Sequence, residues 1–127
     1  MMKEEKKYDL EDRLIDFAVR IICQAQSLPK TEVGKHISGQ ILRSGTSPAP
    51  NYGEAQGAES QADFIHKMRI CLKELRETKV WLRIIERANL VCSAKLKDLV
   101  DENDELIAIF ATSIKTAAKK RTKEFPM

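Results

Sequence analysis

At 127 residues, with only five glycines and four prolines, the chain is long enough for one self-supporting core and too poor in turn-formers for a β-sandwich. Its net charge of +3 and pI near 8.8 give no more than a mild bias toward an anionic partner. The charged N-terminus and the lack of any apolar run near ~18 residues predict a soluble, cytoplasmic protein with no signal peptide and no membrane segment.

After a short charged lead, Met1–Lys7, the first helix is expected over Leu10–Ser27. Leu10, Leu14, Phe17, Ala18, Ile21, Ile22 and Ala25 form its apolar face, and Asp9, Glu11, Asp12 and Asp16 sit near its positive N-terminal end. Pro29 ends it by biasing Leu28 away from helical angles. A second helix begins at Thr31, a natural N-cap, and carries Val33, Ile37, Ile41 and Leu42 on one side. Pro48 and Pro50 then interrupt the helical hydrogen bonding, so this helix either stops near Gly45 and restarts with a proline in its new first turn or, the preferred reading, continues with a kink near them. With that kink, Arg43, Ser47, Asn51 and Glu54 share one side, and Gly53 and Gly57 are the expected points of close backbone approach.

The third helix, Ser60–Ala88, organises the rest. Phe64, Met68, Cys71, Leu75, Thr78, Leu82 and Ile85 alternate in steps of four and three, the seam of a helix packed lengthwise against others. Ser60 and Asp63 supply its N-terminal capping, and Asn89 suits a left-handed C-terminal position. Ser93 is expected to cap a fourth helix with Leu96, Leu99, Val100, Asn103, Leu106, Ile107, Phe110, Ile114 and Ala117 on its inner face. Short connections between four amphipathic helices predict an all-α, up-and-down four-helix bundle. It forms a single domain over residues 1–127, with 1–7 and 122–127 as frayed ends.

Chemistry of a catalytic kind is thinly represented. A di-iron bundle site needs two carboxylate-x-x-His pairs; Asp63–His66 is one, but His36 has Val33 at the required position, so neither a metal nor another cofactor is expected. Ser44 and Ser47 lack an identifiable base, no paired carboxylates stand out, and no phosphate-binding glycine loop is present. Cys23, Cys71 and Cys92 have no metal-like spacing and read as reduced thiols, with Cys23 and Cys71 placed in the core. The chain reads as a non-enzyme.

The outer face of the third helix is more informative. A turn of ~100° per residue aligns Arg69, Arg76, Arg83 and Arg87, with Lys73 beside them, and of these arginines only Arg83 has an acid, Glu86, at helical spacing. One reading is a stripe for the nucleic-acid backbone, RNA or DNA, joined by Lys119, Lys120 and Arg121 at the end of the fourth helix. The other is a solvated or inter-subunit face with the acids of the first helix as counter-charges. A further edge of the same helix, Ile70, Trp81 and Ile84, lies off the core seam and is the candidate surface for homo-oligomerisation, unless Trp81 merely covers a neighbouring loop.

The run Arg43-Ser-Gly-Thr-Ser47-Pro-Ala-Pro-Asn51-Tyr-Gly-Glu54-Ala is similar to the R-x-x-x-S-x-x-x-N-x-x-E-A/G signature of the 23S rRNA intervening-sequence protein family. The run from Asp63 through Glu74 and Glu77 to Trp81-Leu82 resembles that family too, and the likeness extends over about Tyr8 to Ala118. Two prolines stand where one is usual. The resemblance implies a four-helix bundle assembled as a ring-like homopentamer without known enzyme activity. A more distant likeness to the accessory protein of diversity-generating retroelements, a basic pentamer that binds nucleic acid and a reverse transcriptase, implies a nucleic acid or a nucleic-acid-processing protein as partner.

Overall fold

The computed structural model describes residues 9–124; the Met1–Lys7 lead and the last three residues, Pro126 among them, lie outside it. Its helices are α1 (Leu10–Gln26), α2 (Glu32–Thr46), α3 (Pro48–Gln56), α4 (Gln61–Arg87) and α5 (Ser93–Glu124), and no strand occurs among the described residues. α2 and α3 are the two arms of the expected kinked helix. Ser47 between them keeps helical angles (φ −68°, ψ −35°), with Ser47 N–H donating to the Arg43 carbonyl and Asn51 N–H to the Ser47 carbonyl. The bend falls where Pro48 has no N–H to donate, and α3 starts with that proline in its first turn.

The helix ends follow from local chemistry. Asp9, Thr31 and Ser60 accept hydrogen bonds from the N–H groups of Asp12, Gly34 and Asp63 at 2.9, 3.1 and 3.0 Å. Asp63 returns the contact by accepting from Glu59 N–H at 3.3 Å. At the far end of α4, Asn89 takes φ 56°, and the N–H groups of Asn89 and Leu90 donate to the Glu86 and Ile85 carbonyls. This paired closure needs a left-handed residue, which asparagine supplies at lower strain than most. Ser93 is the first helical residue of α5 rather than a flanking cap.

α1 packs on α2, α3 and α5; α4 packs on the same three; the backbones of α1 and α4 do not approach each other, so the two occupy opposite corners of the bundle. The core gathers Leu14, Phe17 and Ile21 from α1, Ile41 from α2, and Met68, Leu75, Leu82 and Ile85 from α4. Leu96, Leu106 and Phe110 of α5 complete it, each side chain at most 2% exposed. At ~1.5–3 kcal/mol per large side chain buried, this layer is the main source of stability. The α4 seam is as expected except at its first position. There Ile65 is buried and Phe64 only partly so, because a straight helix drifts ~20° per heptad from a strict seven-residue repeat and carries Phe64 off the line of contact. Cys71 is fully buried, but Cys23 is exposed: it falls on the outer side of α1, which corrects its assignment to the core.

Close backbone approach occurs at other glycines than those expected. Gly53 has nothing within 4 Å of an added Cβ and Gly57 only a carbonyl at 3.8 Å. A Cβ at Gly34 would lie 1.9 Å from the Pro29 carbonyl oxygen, and one at Gly45 would lie 2.7 Å from both Cγ1 and Cγ2 of Ile21. Gly45 is thus the point where α2 crosses α1.

Two polar contacts tie α5 down. Arg13 of α1 grips Glu102 through Nε at 3.0 Å and Nη2 at 2.7 Å, and reaches Glu105 at 3.0 Å. Deep in the core, Asn103 Nδ2 donates to the Leu75 carbonyl of α4 at 3.3 Å, while its Oδ1 has no hydrogen-bond partner among the described residues.

Candidate functional site

Residues turned ~180° from the α4 seam face outward, and they include Arg69, Lys73, Arg76, Arg83 and Arg87, all exposed. None of the five makes an ion pair among the described residues. Val80, 54% exposed, sits in the middle of this line. It divides the line into two ends of different character.

At the N-terminal end, α4 begins where α5 finishes. Arg69 and His66 line one shallow groove of about 300 Å³ with Arg121, Thr122 and Ala118, and no carboxylate among the described residues lines it. Of the three basic residues expected from the end of α5, Arg121 alone joins Arg69. Lys120 faces the neighbouring groove with Gln61 and Phe64, and Lys119 lies with Lys115 and Lys123. At the C-terminal end, Val80, Arg83, Ile84, Arg87 and Ala88 line a surface pocket of about 480 Å³, in which guanidinium and aliphatic groups alternate. Lys73, between the ends, helps hold the Glu77 carboxylate. Arg76 is exposed to solvent.

Of the polar residues of the sequence signature, Arg43 and Glu54 reach α4, and Ser47 and Asn51 pair with each other. Arg43 donates to Glu74 at 3.1 Å and also to Glu77, whose Oε2 accepts from the Trp81 indole N–H at 3.0 Å. The indole bond first, and Arg43 with it, holds the Glu77 carboxyl below its ordinary range against the opposing effect of burial. Below this cluster, Ser44 and Thr78 are fully buried with their hydroxyls 2.9 Å apart, and Thr78 donates to the Glu74 carbonyl. Asn51 Nδ2 donates to the carbonyl and hydroxyl oxygens of Ser47 at 2.9 and 2.8 Å, and Glu54 pairs with Lys67 at 3.8 Å. Arg43 and Glu54 thus fasten the bent helix to α4, while Asn51 and Ser47 brace the bend from within. Cys71 adds to the fastening, its thiol pointing at the Pro48 carbonyl and pushed up to about 12 by burial. No group of three or more His, Cys, Asp or Glu suited to a metal ion occurs among the described residues.

The candidate interface residues differ in exposure. Trp81 is half-buried, its indole bonded to Glu77 and its ring edge-on to His36 at 6.2 Å; Ile70 is likewise partly covered. Of the three, Ile84 alone is exposed, and it lines a pocket with the exposed Val80. Sequence reasoning passed over Val80, a lone apolar residue in a basic run. It also passed over Ile15 and Val19, 44% and 52% exposed along the outside of α1, and placed on the inner apolar face Ile22, which is 39% exposed beside them: one residue on from the buried Ile21, it is turned ~100° away from the core. Their spacing of four and three was the available signal. No described helix is long and apolar enough to cross a membrane.

Residues 6–112 match the family model of the 23S rRNA-intervening sequence protein. Among solved structures, a protein of unknown function from the S23 ribosomal protein family of Bacteroides thetaiotaomicron superposes with a TM-score of 0.80 at 36% identity, covering 84% of this chain and 99% of that one. None of the curated proteins compared matches the chain.

Proposed function

Since the chain belongs to the 23S rRNA-intervening sequence protein family, we propose that it is a non-enzymatic, self-associating helical bundle that binds a nucleic-acid backbone at the junction of α4 and α5. The observation that carries this reading is the convergence of Arg69 and Arg121, from two different helices, on one groove. Two guanidinium forks from different helices can each chelate a phosphate, and Lys73, Lys119 and Lys120 extend the positive field around them. The family resemblance supports a closed ring of five copies, which would repeat the groove around the assembly and multiply a weak contact by avidity.

The test is titration of a labelled single-stranded RNA and a duplex DNA at several salt concentrations. If three or four phosphates are neutralised, affinity falls roughly 20- to 150-fold between ~50 and ~200 mM salt. Arg69→Gln/Arg121→Gln should weaken binding and flatten the log–log salt slope by ~0.7–0.9 for each phosphate left without its arginine. Wild type and variant binding equally poorly at low salt would refute the reading.

A second reading is supported by the other end of the stripe. Val80 and Ile84 lie among Arg83 and Arg87, a mixture that suits a protein interface better than a phosphate track. On that reading the protein is a scaffold whose arginines meet acids of a neighbouring subunit, and charge reversal at Arg83 and Arg87 would dissociate it without touching any nucleic acid.

A further inference from the structure

The two exposed apolar stripes are opposite in charge. On α1, Ile15, Val19 and Ile22 are flanked by Glu11 and Asp12. The basic residues of α1 stand off this line: Arg13 is turned away to Glu102 and Glu105, and Arg20 lies about 100° round the helix from Val19. On α4, Val80 and Ile84 are set among Arg83 and Arg87, which have no ion pair among the described residues. α1 and α4 stand at opposite corners of the bundle, so no one copy can cover either stripe with the other.

We propose that the α1 stripe of one copy seats on the α4 stripe of the next. The occupant of each stripe is a second copy of this chain because the chain itself carries the complement of both. A parallel pairing of α1 with α1 would oppose Glu11 and Asp12 to their own images, and an antiparallel one would set them against the uncharged Ile22 end, so neither brings them a cation; pairing α4 with α4 likewise brings no acid to Arg83 and Arg87. Like charges in register are disfavoured, and unlike ones select the mixed contact. A contact between two different faces is head-to-tail, and it propagates until a ring closes. The inference rests on the self-association proposed above and is independent of nucleic-acid binding.

Val19→Gln removes the apolar contact of the α1 face without adding a charge that Arg83 and Arg87 would attract, and Ile84→Asp sets an acid against Glu11 and Asp12; both positions are exposed, so both variants should keep wild-type helical circular dichroism and Trp81 fluorescence. Sedimentation is then measured for the wild type, each variant, and their equimolar mixture, up to ~1 mM protein. The expected result is an assembled wild type, two monomeric variants, and a mixture that forms a one-to-one dimer through its remaining good α1 and α4 faces. A wild type that stays monomeric refutes self-association itself. An assembled wild type whose mass neither variant changes, a variant that alone forms a two-fold dimer, or a mixture that stays monomeric overturns the proposed pairing only. Assembly of the wild type solely with a different protein also overturns it.

Discussion

Gly45→Ala tests whether the crossing of α2 over α1 is as tight as the structure has it. In a helix interior the change from glycine to alanine is favourable by ~1 kcal/mol. Here the new Cβ would meet Cγ1 and Cγ2 of Ile21 at 2.7 Å. Ile21 is 0% exposed and β-branched, so its Cγ atoms cannot rotate clear within a helix. Overpacking of this kind costs about 2–3 kcal/mol, leaving a net destabilisation of ~1–2 kcal/mol. For a chain of this size that lowers Tm by roughly 3–8 °C. Ile21→Ala alone should cost ~2–5 kcal/mol by opening a cavity. It also deletes both clashing atoms, so in its background Gly45→Ala should restore up to ~1 kcal/mol. The double-mutant cycle is read by urea denaturation at one fixed protein concentration, because self-association would otherwise shift the midpoint. A stabilising Gly45→Ala with Ile21 present, or the same cost in both backgrounds, would rule out a tight crossing at this point.

Glu77→Gln should cost ~1 kcal/mol at neutral pH, a charge-assisted bond discounted for partial exposure. The Glu77 carboxyl is held below its ordinary value of 4.5 in the folded protein, so its contribution is present above that pH and is lost as pH falls through the depressed folded value. The gap between wild type and variant should therefore close on acidification, followed by the fluorescence of the single tryptophan; a gap that stays constant would argue against the linkage. In the folded monomer an aromatic disulfide reagent should titrate Cys23 and Cys92 but reach Cys71 only in denaturant, since Cys71 is buried and its thiol is pushed up to about 12. Prompt modification of all three would contradict the packing of α4. Asn89→Ala should lose ~1 kcal/mol in thermal unfolding, and Asn89→Gly should lose nothing, because only the left-handed angle is at stake.

Periodicity made the bundle legible, since the steps of four and three along α4 and α5 leave one way to bury Leu75, Leu82, Leu106 and Phe110. The caps at Thr31 and Ser60 and the turn at Asn89 were legible for a different reason: each is decided by a residue and its immediate neighbours. What escaped depends on positions far apart in the chain. Arg43 meets Glu74 and Glu77 only after the bend has turned α2 onto α4. Gly45 is special only because Ile21 crosses it, whereas Gly53, which looked equivalent, faces open space. Cys23 was misplaced because α1 is apolar on two sides, and spacing alone does not say which side meets the core. The candidate surface suffered from the same limit. Arg69 and Arg121 are neighbours through antiparallel packing, and Val80 became meaningful once its exposure was known.

Asn103 has a consequence for how the two longest helices find their alignment. Leucines along a seam are nearly interchangeable, so α5 displaced by one turn along α4 could still bury much of its apolar face. The amide breaks that degeneracy, because it donates to the Leu75 carbonyl at 3.3 Å in one axial position and would be stranded among hydrocarbon in the others. Its unpartnered Oδ1 is the residual cost of this choice. One side chain thereby acts as the index mark by which a helix of 32 residues is set in place.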